Sequence, residues 1–388
     1  RGNRELLAHY DEFLRSHPPS HVSTHPPGWF VLYRGLLSFF ERHEAVASWI
    51  DHAQPRDMTD VLDHLQVSQG AIIPSADRAT IATVALASRA AAILVVLPVA
   101  WLVRIRSRRS AAWLAAAVAG LVPAGILFAP RSDTVYPTFA ALALALCCHA
   151  VRRKSVVAAA AAGLVLFAGL FMSLVFAAVA ALAVCLVALE MFAWRRRPAS
   201  GPAAAGAKAG RTGESQPLTH RPLAWIRPLT AAAAGLLLGP ALLYLVWDHN
   251  VLECWSINLA KNSEFYKLVD RSYWSWVLVN PIELAVAMGL PAAILLVVRL
   301  SGEARGLFAR GRFDPLAIAW LVIVVALNFS GLNLGEVARL WLFLMPLGAA
   351  LAAETVGEAA CGRHAAGGAL VLLQGVACLV LARDLTVI

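Results

Sequence analysis

Three polar fragments interrupt an otherwise apolar chain: Thr24-His25-Pro26-Pro27-Gly28-Trp29, Pro130-Arg131-Ser132-Asp133 and Gly335-Glu336-Val337-Ala338-Arg339-Leu340-Trp341. Together they supply carboxylates at Asp133 and Glu336, an imidazole at His25 and guanidiniums at Arg131 and Arg339. Arginine grips phosphate oxygens through paired, charge-assisted hydrogen bonds. A carboxylate or an imidazole can take the proton of an attacking hydroxyl. Asp133 is also a candidate ligand for a divalent metal such as Mg or Mn, which would neutralise a departing phosphate. Trp29 and Tyr266 offer aromatic faces for a sugar or a lipid, although anchoring at a membrane interface places Trp and Tyr in such segments equally well.

Asp133 is the most informative of these residues. It lies between the apolar stretches Ala111 to Ala129 and Thr134 to Ala150. An ionisable group held against a bilayer is costly and marks function by default. Each fragment also has a plain structural reading. Asp133 suits the N-cap of the helix that follows it. His25 suits an interfacial position ahead of a Pro-initiated helix. Glu336 and Arg339, three residues apart, suit a local helix salt pair. The ladder His17, His21, His25 has the look of a metal site, but Pro18 and Pro19 disrupt the helix it would need.

The elements that must position these groups follow from composition. The chain has 388 residues, 59% hydrophobic and 15% charged, and a mean hydropathy of +0.66. Soluble domains carry about 25% charged residues, and crossing a bilayer takes roughly 20 apolar ones in a row. These values predict an all-α fold, a polytopic transmembrane helical bundle of about ten spans. Residues 1–79 are read as an outer-face loop with juxtamembrane helices, including an amphipathic helix over Gly28 to Phe40 interrupted by Arg34. Residues 80–194 form a first group of spans, 195–228 a flexible cytoplasmic linker rich in Ala, Gly, Pro and basic residues, and 229–388 a second group. Between the spans of the second group, Asp248 to Trp276 reads as an aromatic outer loop.

The net charge of +9 does not point to nucleic acid. The basic residues gather in Arg104 to Arg109, Arg152-Arg153-Lys154 and Arg195-Arg196-Arg197, each directly after an apolar stretch. That is the pattern of cytoplasmic loops. It orients the bundle in the cell's inner (plasma) membrane and puts all three polar fragments on the extracytoplasmic face. The six cysteines are scattered, mostly through apolar spans, and build neither a disulfide framework nor a metal-binding pair. Within the spans charge is almost absent; Glu190 and Glu283 stand toward span ends.

The arrangement resembles the GT-C superfamily of polytopic membrane glycosyltransferases, which includes protein O-mannosyltransferases and lipid A aminoarabinose transferases. Thr24 to Trp29 is similar to that family's first outer-loop motif, where a charged residue precedes Pro-Pro on a juxtamembrane helix. Arg131-Ser132-Asp133 resembles its Arg-x-Asp element, and Glu336 to Pro346 its late outer-loop motif. The resemblance implies transfer of a sugar, usually with inversion, from a polyprenyl-phosphate donor to an acceptor hydroxyl on the outer face. It implies that Asp133 contacts the carrier phosphate or a metal and that His25 lines the donor pocket. Arg131 and Arg339 would hold phosphate, and Glu336 would orient Arg339 or touch the acceptor. The family's first-loop carboxylate has no counterpart here. The chain opens on Arg1-Gly2-Asn3 with no preceding span, and the expectation is that this carboxylate lies upstream; Asp11 and Glu12 read instead as part of a surface helix. The alternatives from composition alone are a membrane transporter, which would place charge or broken helices at mid-membrane, and a noncatalytic assembly protein.

Overall fold

The computed structural model describes residues 3–18, 24–195, 223–268, 271–310, 313–359 and 364–385. Helix is the regular structure among the described residues, with no strand among them. Among the described residues five helices are long and apolar enough to cross a membrane: Ser75–Arg106, Ser132–Arg153, Phe176–Ala193, Ile226–Trp247 and Ala365–Asp384. The pair Tyr273–Met288 and Leu290–Ala309 makes a sixth if counted as one span bent by 118°.

Each of the ten apolar stretches in the sequence is helical, but several are shorter or broken. Val156–Met172, Pro315–Phe329 and Leu342–Gly357 have 10–17 residues, and fifteen residues rise only about 22 Å against a hydrocarbon core of about 30 Å. The stretch read as a single span from Ala111 to Ala129 is two pieces, Arg109–Gly120 and Pro123–Leu127. Pro123 has no N–H to continue the first helix and pushes Val122 into an extended conformation (φ −68°, ψ 115°).

The sharp bend at Gly289 has a comparable local cause. Its φ of +96° lies in the left-handed region, and a Cβ there would fall 2.2 Å from Gln374 Nε2. Gln374 is fully buried and satisfies the backbone groups that these breaks expose. Its amide nitrogen donates to the carbonyls of Met288 (2.7 Å) and Leu121 (3.2 Å), and its oxygen accepts from the Ala292 N–H (3.3 Å). One side chain thus closes two broken helix ends inside the bundle.

The two groups of spans pack on each other. Helix Leu223–Trp247 lies so close to Val156–Met172 that a Cβ on Gly163 would meet the Ala232 carbonyl at 2.1 Å, and one on Gly235 the Ala160 carbonyl at 2.2 Å. Small residues let helix backbones approach in this way. Residues 196–222 of the predicted linker lie outside the described residues. The helix after it begins at Leu223 rather than near 229, with Arg227 and Pro228 inside it. The predicted amphipathic helix is present as Gly28–Arg42, with Trp29 and Phe40 buried and Leu32, Tyr33 and Phe39 exposed. The predicted outer loop is mostly helix, Val251–Lys267, started by Asn250, whose side chain accepts from the Glu253 N–H.

At the Arg106 end of the bundle a sealed charge network ties four helices together. Both Asp314 oxygens accept from Arg106 Nη2 at 2.6 Å. Arg299 Nη2 donates to Asp314 at 3.1 Å, and the Ser107 hydroxyl to Glu354 at 2.9 Å. Glu190, one of the two carboxylates noted inside apolar sequence, pairs with Arg152 at 2.9 Å. Asp314 also caps its own helix through the Leu316 N–H. Burial alone would raise its carboxyl, but Arg106 and Arg299 outweigh it and hold the group below the ordinary carboxylate value.

Candidate functional site

The second charge cluster lies at the opposite end. Asp133 is at the start and Arg152 at the finish of the span Ser132–Arg153, a rise of about 30 Å. A cavity of about 230 Å³ opens there, at the ends of several helices. Its walls include His25, Asp133, Tyr266, Arg271, Glu336 and Arg339. Leu174, Val175, Ala177, Ala178, Leu259 and Leu327 supply an aliphatic side.

Each polar residue is positioned by a definable local structure. Asp133 belongs to the 3₁₀ turn Ser132–Val135 that leads into the span. The N-cap position falls on Arg131 for that turn and on Val135 for the helix that follows, so the N-cap reading does not apply to Asp133. Instead Oδ2 faces Arg339 Nε at 3.7 Å, with His25 and Arg131 also within electrostatic reach. His25 is set by its backbone: its carbonyl accepts from the Tyr10 hydroxyl (2.9 Å) and from Asn258 Nδ2 (3.1 Å). These bonds draw the short helix Tyr10–Ser16 and the helix Val251–Lys267 onto the Pro26-Pro27 turn.

Glu336 and Arg339 stand on a strained turn. Gly335 has φ +97° and Glu336 φ +58°. A non-glycine residue in the left-handed region is uncommon and persists where its surroundings enforce it. Those surroundings are visible. Arg271 Nη1 donates to the Leu334 carbonyl, and Asn280 Nδ2 to the Asn333 carbonyl at 3.2 Å. Trp341 Nε1 donates to Asn333 Oδ1 at 3.2 Å, and the Glu283 carboxylate accepts the Ala338 N–H at 2.9 Å. Arg339 Nη2 then donates to Glu336 Oε2 at 2.5 Å, and Arg271 Nη2 lies 3.7 Å from Glu336 Oε1. The local salt pair expected from spacing is therefore present, as one part of a larger cluster in which Arg339 sits between two carboxylates. Burial raises the Tyr266 phenol above its ordinary value, partly offset by a side-chain hydrogen bond with Asn333.

The structure brings His25, Asp133, Tyr266, Glu336 and Arg339 to one cavity. It separates two other candidates from it. Trp29 is packed in the core outside the cavity lining, and its indole N–H donates to the Tyr136 hydroxyl at 3.0 Å. A Trp next to a helix start reads as an anchor or a stacking platform from sequence, but only packing shows which way it turns. Arg131 opens on an adjoining polar compartment with Phe128, Glu283, Glu336 and Arg339.

Two contributors escaped sequence reasoning. Arg271 lies just after the helix Val251–Lys267, and its signal was a lone arginine within an aromatic outer segment. Glu283 is a carboxylate two residues after Pro281 within an apolar run, a position that reads as a span end. No group of three or more His, Cys, Asp or Glu side chains among the described residues converges to hold a metal ion. His21 of the histidine ladder lies outside the described residues. With the Arg339 guanidinium between them, Asp133 and Glu336 do not form a paired oxygen set for a divalent cation.

Chemically, the cavity offers two guanidiniums for an anionic oxygen group, carboxylates beside them, and an aliphatic wall for a hydrocarbon chain. Comparison with known proteins returned no match: no family model, no curated protein and no solved structure corresponds to the chain.

Proposed function

We propose that the protein is an integral membrane glycosyltransferase that moves a sugar from a polyprenyl-phosphate donor to an acceptor hydroxyl on the extracytoplasmic side of the plasma membrane. One observation carries the reading. Residues singled out from three distant polar fragments, plus Tyr266, share a cavity that joins a charged floor to an aliphatic wall. An amphiphilic lipid phosphate has that same division. Arg339 and Arg271 would bind the phosphate oxygens, the Ser173 to Ala178 turn and Leu259 the first isoprene units, and His25 the region near the phosphate. The acceptor oxygen attacks the anomeric carbon as the carbon–oxygen bond to phosphate breaks, and the bonding pair leaves on the phosphate oxygen. The hydroxyl proton passes to Glu336, the more exposed of the two carboxylates. Asp133 positions Arg339 from its buried side. In this reading the shorter helices complete a bundle of about ten spans, and Gln374 satisfies the backbone groups freed where helices break.

The test is Asp133→Asn in the full-length protein. Transfer from a polyprenyl-phosphate sugar is expected to fall about 100-fold or more, with an unchanged elution profile and thermal midpoint. Wild-type turnover in that variant would remove Asp133 from the mechanism.

A second reading, a transporter, draws on the 118° break at Gly289 and on the buried Gln374 that closes it. Broken helices mark transporter substrate sites at the bilayer midplane. The two readings separate in proteoliposomes: a transporter moves a solute across the bilayer without consuming a lipid-linked sugar.

A further inference from the structure

Glu336 and Arg339 line two cavities, because the pair forms a wall between them. On one side is the aliphatic-walled cavity described above. On the other is a compartment of about 380 Å³ whose remaining walls are Phe128, Arg131 and Glu283. This is within the ~300–1,000 Å³ typical of small-molecule sites. The second compartment has no aliphatic residue in its lining, and nothing in the donor chemistry uses Glu283 or Phe128.

We infer that this compartment seats the acceptor, and that the acceptor is an uncharged carbohydrate; the inference rests on the transferase reading. The lining balances two guanidiniums against two carboxylates. An anionic acceptor would call for an excess of arginine and a cationic one for an excess of carboxylate. A neutral ring with several hydroxyls uses both, because each hydroxyl donates to a carboxylate and accepts from a guanidinium. Phe128 supplies a flat apolar surface for the C–H face of the ring. A lipid acceptor would find no hydrocarbon wall.

Glu283 is a specificity residue in this arrangement. One of its oxygens accepts the Ala338 N–H at 2.9 Å and so fixes the turn that carries the dividing wall, while its side chain faces the compartment. The geometry lets one acceptor hydroxyl reach Glu336 from this side while Arg339 faces the phosphate from the other. The new carbon–oxygen bond forms where the acceptor hydroxyl meets the anomeric carbon beside Glu336, as the bond from that carbon to the phosphate oxygen breaks. The phosphate oxygen keeps the electron pair and Glu336 takes the proton.

The experiment uses the full chain in lipid nanodiscs, with saturation-transfer NMR on neutral methyl hexosides, a hexose phosphate and an amino sugar. Polyprenyl-phosphate binding is measured in parallel. At least one neutral hexoside is expected to bind, and the charged sugars to bind more weakly. Phe128→Leu and Glu283→Gln are expected to weaken hexoside binding about tenfold, as for loss of one strong contact, and to leave lipid binding and the thermal midpoint unchanged. Glutamine keeps the carbonyl oxygen that Ala338 needs, so a folding defect is not built into that variant. Lipid binding with no hexoside binding, or hexoside binding unmoved by either variant, overturns this inference alone. Loss of lipid binding in the wild-type protein overturns the transferase reading, and the acceptor role with it.

Discussion

The two ends of the bundle carry the same charge motif in different surroundings. At one end Arg106 lies between Asp314 and Glu354; at the other Arg339 lies between Asp133 and Glu336. The first arginine is 5% exposed, and its carboxylates 9% and 1%. The second is 18% exposed, and its carboxylates 13% and 40%. The sealed cluster bonds to the Ser107 hydroxyl and the Leu316 N–H, and its carboxylates are almost wholly shut off from solvent. The other opens on two cavities and keeps a carboxylate within reach of solvent. A guanidinium between two carboxylates is thus a staple when closed and a candidate site when open. Burial and not residue type makes the difference.

Removing each arginine sets the comparison at its sharpest. Arg106→Ala takes its central cation from Glu354, leaves Asp314 with Arg299 alone, and is expected to destabilise the fold by about 3–5 kcal/mol. The measurement is thermal unfolding in detergent, and the expected outcome is a large fall in midpoint or a failure to recover folded protein. Arg339→Ala is expected to lose only about 1 kcal/mol of stability, as for a pair that water can partly reach, while donor affinity drops about tenfold or more. If the two variants unfold alike, both ends are staples and the distinction collapses.

Acid should separate the ends next. The folded pKa of Asp314 is held below its ordinary value of 3.8. A carboxylate with a depressed folded pKa contributes stability that is present above its unfolded pKa and is lost as pH falls through the folded one. The midpoint is therefore expected to decline from about pH 5 downward, with a shallower decline in Asp314→Asn. An unchanged slope would show that Asp314 is not the group that senses acid. The smallest effect concerns Trp29. Trp29→Phe removes its hydrogen bond to Tyr136 and should cost about 1 kcal/mol with no change in donor affinity. A weakened donor interaction would return Trp29 to the substrate site.

Much of the architecture was legible because hydrophobic runs and basic clusters are local signals. Every apolar stretch read from sequence is helical, and the helix expected over Gly28 to Phe40 is present as Gly28–Arg42. Span number was less legible. Whether Ala111 to Ala129 or Tyr273 to Ala309 crosses in one piece depends on Pro123, Gly289 and the distant Gln374 that closes both breaks. The site divided in the same way. Asp133, His25, Glu336 and Arg339 were visible as ionisable groups beside apolar sequence, and they share one cavity. Trp29 packs in the core and not in the cavity lining, since an aromatic ring can face either with the same spacing. Arg271 and Glu283 were passed over because their roles lie in holding the Gly335-Glu336 turn, which is made of contacts between remote segments.

The sequence by itself determined an all-helical chain rich in membrane-length apolar helices, with a few charged groups too costly to be incidental. Apolar burial and helix periodicity act over neighbouring residues, so composition and spacing suffice for that. Only the tertiary structure decided that one arginine–carboxylate cluster is sealed and the other open. That outcome depends on which distant helices cover each cluster, and desolvation of a charge is a property of everything packed around it.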